Sequence, residues 1–168
     1  FILLVLSSSP ASAYWIWTPK TGKWVNPKRV VKPTPKEQLD FAKSLYEAKK
    51  YEEAKREFNK LLHSYPKSVE AAESQYHLAL IEEGEGNLYQ AYKAYQKVID
   101  KYPFSVRIQE IVEREYKIAE AFMSGKARKA LTVENPAIEI FTKVVENSSY
   151  GPLAAPAQYK LGMVLKGL

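Results

Sequence analysis

The chain has 168 residues, nearly half of them hydrophobic and a quarter charged, with no Cys. That length suits one ordinary domain with a buried core, and the lack of Cys excludes disulfide scaffolds, thiolate metal sites and Cys nucleophiles. The formal charge of +6 sits at one end: residues 14–36 hold Lys20, Lys23, Lys28, Arg29, Lys32 and Lys36 and no acid, and from Glu37 onward bases and acids balance. A folded part that is neutral overall argues against a nucleic-acid partner.

Residues 1–13 read FILLVLSSSPASA. A short apolar run, then small polar residues, then Ala-Ser-Ala, is the pattern of a secretory signal peptide with cleavage after Ala13. The sequence starts on Phe and lacks the basic start of such a peptide, so its first residues are expected to be missing. Six apolar residues are too few for a bilayer span, which needs about 20. The expectation is an exported protein of the periplasm, or of the periplasmic face of the outer membrane, in a Gram-negative-type bacterium.

Residues 14–35 form a Trp- and Lys-rich segment and a Pro linker. Trp15, Trp17 and Trp24 are the only Trp of the chain. Two β-rich runs, 14–18 and 23–25, flank Pro-Lys-Thr-Gly, which predicts a hairpin with Gly22 at a positive φ. Trp15 and Trp17 would then share one side. Pro33 and Pro35 lead as a stiff linker into the first helix. A lone hairpin is marginal in water, so it is expected to lean on something. Two supports are open: the end of the first repeat, or an anionic membrane surface or partner. Trp15, Trp17, Trp24, Lys20 and Lys23 are the candidate contact residues.

From residue 36 the chain repeats. YEEAKREFNKLLHSYPKS and LYQAYKAYQKVIDKYPFS align 37 residues apart. They pair Ala54 with Ala91, Phe58 with Tyr95, Leu61 with Val98 and Pro66 with Pro103. A third copy places Ala137, Phe141 and Val144. A second pattern precedes each copy: QYHLA, EYKIA and QYKLG, with small residues Ala79, Ala119 and Gly162, matched by Ala42 in the first copy. Apolar spacing of three and four predicts helices, and each unit reads as helix A, turn, helix B. Pro66 and Pro103 end the B helices. Ser68 and Ser105 are expected to cap the A helices that follow. The turns lie at Lys49–Lys50 and in GEGNL.

These motifs resemble the tetratricopeptide repeat. Tyr-Pro-x-Ser joints and the Tyr before Leu-Ala are similar to the outer-membrane assembly lipoprotein family of BamD (YfiO/ComL-like). The resemblance covers residues 36–168 and implies an all-α solenoid of about three and a half helix-turn-helix repeats. It also implies a longer third A helix, and a longer loop after it at residues 124–135, able to face a partner. The implied role is non-enzymatic: docking a barrel assembly component, or extended segments of unfolded outer-membrane proteins, in a concave groove. The family's lipidated Cys has no counterpart in residues 14–35, and the chain stops after helix A of a fourth repeat. The alternative is a periplasmic repeat scaffold of the CpoB/YbgF type, coordinating envelope constriction or peptidoglycan synthesis.

In such a solenoid the A helices line the groove. Positions three before and one after the small residue give Leu39, Tyr76, Tyr116 and Tyr159, then Lys43, Leu80, Glu120 and Met163. By resemblance, Lys43, Tyr46, Tyr76, Leu80 and Glu83 are candidate groove residues, joined by Tyr116, Glu120, Tyr159 and Met163 from the two columns. The Tyr rings suit either peptide contact or packing between helix pairs. No catalytic constellation is visible. His63 and His77 have no metal-ligand spacing, and GEG is not followed by a phosphate-loop pattern. No enzyme activity, cofactor, metal or small-molecule substrate is expected.

Overall fold

The computed structural model describes residues 15–19, 22–26, 30–127 and 135–167. The signal-peptide reading, Lys20 and most of the 124–135 loop lie outside them. The chain divides into two units, with the break between Lys32 and Pro33.

The first unit contains a two-stranded antiparallel hairpin, β1 (Ile16–Thr18) and β2 (Lys23–Val25). Its register pairs Ile16 with Val25, Trp17 with Trp24 and Thr18 with Lys23. Gly22 has φ +60°, the left-handed geometry that the turn demands.

The second unit is all helical: α1 (Pro35–Glu47), α2 (Tyr51–Ser64), α3 (Val69–Gly84), α4 (Leu88–Lys101), α5 (Ile108–Met123), α6 (Pro136–Asn147) and α7 (Ala154–Lys166). Each A helix packs on its B helix, and each pair packs on the next. Thr34 starts α1 by accepting from the Glu37 amide at 3.2 Å, with Pro35 in the first turn. Lys49 turns α1 into α2 at φ 59°, and Gly86 turns α3 into α4 at φ 79°. α2 and α4 each stop two residues before a Pro, as that ring requires.

The repeated positions form the core. Ala54, Ala91 and Ala137, the rings of Phe58, Tyr95 and Phe141, and Leu61, Val98 and Val144 are all fully buried. Ala42, Ala79 and Ala119 are also fully buried, so the paired helices approach closely. Gly162 is exposed, because no helix follows α7 among the described residues.

Two sequence expectations are corrected. Ser68 stands at the start of α3, but its hydroxyl makes no cap bond and is buried without a partner. Ser105 sits two residues ahead of the α5 cap, Arg107, whose amide its Oγ accepts at 3.2 Å. The joints therefore fix the chain through backbone turns and packing rather than through Ser caps. In addition, α5 has 16 residues, the same as α3, so the third A helix is not elongated.

Candidate binding face on the A helices

At each step between A helices an aromatic ring meets a basic or imidazole side chain from the next A helix or its cap. Between α1 and α3, the Tyr46 ring lies 5.3 Å from His77. Between α3 and α5, the Arg107 guanidinium stacks 4.8 Å over the Tyr76 ring. Between α5 and α7, the Lys160 ammonium lies 5.7 Å over Tyr116. A cation over a ring face is held by the ring's negative charge distribution, and the contact strengthens when water is excluded.

The α3–α5 step carries a ladder of ion pairs. Arg107 donates to both oxygens of Glu73, at 2.8 and 3.0 Å, the planar fork geometry that matches a carboxylate. Arg107 also donates to Glu110 at 3.0 Å, and Arg114 to Glu110 at 3.0 Å and Glu83 at 3.2 Å. Tyr76 donates its hydroxyl to Glu110, and the fully buried Tyr95 donates to Glu83 at 2.6 Å. Burial opposes the Glu73 charge, but the Arg107 bond and charge outweigh it and hold its pKa below the usual range. The Tyr76 bond and both Arg do the same for Glu110. Burial and the Glu110 carboxylate push the Tyr76 hydroxyl up to about 12.

His77 is buried among Tyr46, Phe58 and Tyr76 and donates from Nδ1 to the Glu73 carbonyl at 2.9 Å. Burial lowers its pKa, so the ring is neutral at pH 7. His63 is exposed. Among the described residues no group of three or more His, Asp or Glu is arranged to hold a metal ion.

The predicted groove residues separate into three environments. Tyr76 is only 3% exposed, so its ring packs between helix pairs and is not open to a ligand. Glu83 joins it in the ladder through Arg114 and Glu110. Lys43, Tyr46, Leu80, Tyr116 and Glu120 are half-buried on the A-helix face. Lys43 lies close enough to favour the Glu73 charge, and Glu120 pairs with Lys160. Tyr116 meets the edge of Phe141 at 5.6 Å. Tyr159 and Met163 stand apart on α7, at 71% and 47% exposure.

Sequence reasoning missed the ladder, because Glu73, Arg107, Glu110 and Arg114 look like ordinary solvated helix charges. It also missed a cleft of about 480 Å³ at the joint of α4 and α5, lined by Val69, Ala72, Glu73, Phe104 and Val106.

The helix pairs agree with comparison to known families. The tetratricopeptide repeat family matches residues 38–68 and 73–105. Two tetratricopeptide repeats are present. The first repeat match takes in most of α1 and all of α2, and the second most of α3 and all of α4. α5 with α6 continues the same arrangement, and α7 packs on α6. Tetratricopeptide repeats build protein-interaction scaffolds. No curated protein shows significant similarity to the chain.

Proposed function

We propose that this chain is a docking scaffold of outer-membrane protein assembly, similar in role to BamD, and that it acts without catalysing a reaction. Its partners would be a barrel assembly component or extended segments of unfolded outer-membrane proteins. Periplasmic export belongs to the same reading. The observation that supports it is the strip of half-buried side chains along the A helices: Lys43, Tyr46, Leu80, Tyr116 and Glu120. These combine ring faces, an aliphatic surface and charges of both signs, the mixture that grips an extended peptide by backbone and side chain together. The ion-pair ladder ties α3 to α5, so the part of the strip on those two helices is preorganised and loses little entropy on binding.

Crosslinked pulldown of the protein from cell envelope, read by mass spectrometry, tests this reading. Recovery of a barrel protein bearing periplasmic domains is expected, and Leu80→Asp with Tyr116→Ala should reduce it. Recovery of Tol–Pal or peptidoglycan-synthesis proteins in its place overturns the assembly role and leaves the scaffold.

A further inference from the structure

The N-terminal hairpin presents an unusual surface. Trp17 and Trp24 are directly opposed across the strands, so they share a face, and Trp15 precedes β1 by one residue, two residues from Trp17. The Trp17 and Trp24 rings meet edge to face at 5.7 Å. That cross-strand contact helps hold the hairpin, yet Trp15, Trp17 and Trp24 remain 55%, 48% and 62% exposed. Large aromatics left open together mark an interaction surface more often than isolated apolar residues do.

The charge of the same stretch selects the partner. Residues 14–32 carry five Lys or Arg and no acid, nearly the whole formal charge of +6 of the protein. A protein groove of mixed charge gains nothing from such one-sidedness. A surface of dense negative charge does, because each basic residue near an anionic bilayer adds attraction and each acid would cancel it. Indole suits the same place, since its apolar body enters the headgroup boundary and its N–H stays hydrated. No described helix is long and apolar enough to cross a membrane. We infer that the Trp15, Trp17 and Trp24 face docks on an anionic lipid bilayer, with the rings at headgroup depth and the basic charge of this stretch of sequence supplying the attraction to lipid phosphate. This does not depend on which protein the helical unit binds.

The distribution of Trp makes the test direct. All three lie in this segment, so intrinsic Trp emission of the full chain reports the hairpin alone. Mixed phosphatidylcholine–phosphatidylglycerol vesicles should move the emission to shorter wavelength, and pure phosphatidylcholine vesicles should not. Raising salt should reverse the shift. Lys20→Glu with Lys23→Glu leaves the Trp pair intact and should weaken vesicle binding about tenfold or more. A chain with Ile2, Leu4 and Leu6 replaced by Ser separates the hairpin from the leading apolar run and should bind as before. No shift with either vesicle, an equal shift with both, or loss of binding in the Ser variant alone would each overturn the inference. Emission already at short wavelength in buffer would do so too, because the rings would then be covered by protein.

Discussion

α3 and α7 carry the same sequence pattern in different surroundings. Tyr76 and Tyr159 occupy the same repeat position, as does Tyr116 between them. Tyr76 is covered by Arg114 of the next A helix and by Arg107 at its cap and is almost wholly buried, whereas Tyr159 has no such cover among the described residues and is 71% exposed. The residue type is thus only an offer. Whether a ring is buried or exposed depends on what the following helix brings to it.

The sharpest way to break this comparison is one substitution made twice. Tyr76→Ala should destabilise the helical unit by about 3–5 kcal/mol, the usual cost of emptying a buried aromatic site. Tyr159→Ala should change stability by no more than about 0.5 kcal/mol. Denaturant unfolding measures both. Equal losses would mean that the two positions do the same work.

A second contrast lies one residue earlier in the pattern. Gln38 and Gln75 donate to backbone carbonyls of their own B helices, Glu57 at 3.0 Å and Ala94 at 3.2 Å. Glu115 holds the same position but is a carboxyl, fully buried, accepting at 2.9 Å from Gln96 on α4. Burial is the main cause that raises its pKa to about 8, with Asp100 adding to it, while Gln96 and Lys143 oppose. The folded chain therefore keeps this proton up to about pH 8, and the unfolded chain only up to about 4.5. Stability contributed by the protonated form is lost as pH rises through that window, at up to about 1.4 kcal/mol per pH unit. Glu115→Gln removes the cost. The variant should exceed the parent in stability by a margin that grows from pH 5 to pH 8, and parallel pH profiles would reject a buried titrating Glu115.

The fold was legible because its decisive residues recur at fixed spacing. Ala54, Phe58 and Leu61 announce a buried face, and their copies at 91, 95 and 98 confirm it within the sequence itself. The N-terminal hairpin was legible from the Pro-to-Gly turn between two β-rich runs. The candidate site was less so. Tyr76 is buried by Arg107 and Arg114, which belong to the next helix pair, and no local pattern states that they will fold back over it. Glu115 reads as one more helix charge, since its burial arises from α4 and α6 closing on both sides. Ser68 looked like a cap because caps are local, but the joint's packing overrides its hydroxyl.

A third test concerns the ladder. Arg114→Ala removes one donor from both Glu83 and Glu110, while Tyr95 still donates to Glu83 and Arg107 and Tyr76 to Glu110. Breaking a deeply buried pair costs about 3–5 kcal/mol, but these groups retain roughly a third of their exposure, so about 1–2 kcal/mol is expected. A cycle with Glu83→Gln isolates the pair, and a coupling near zero would reduce the ladder to surface decoration.

The smallest effect should come from the matching contact one step on. Lys160 pairs with Glu120 and lies over Tyr116, yet it is one flexible ammonium where α5 and its cap supply two planar guanidiniums. An exposed pair of this kind contributes about 0.2–1 kcal/mol and weakens with salt. Lys160→Ala should therefore cost less than Arg114→Ala and should uncover the Tyr116 ring. If this A-helix strip takes an extended segment, that uncovering changes partner recovery more than it changes the melting temperature. A loss as large as that of Arg114→Ala, and insensitive to salt, would show that both steps are structural locks and that neither leaves a ring free for a partner.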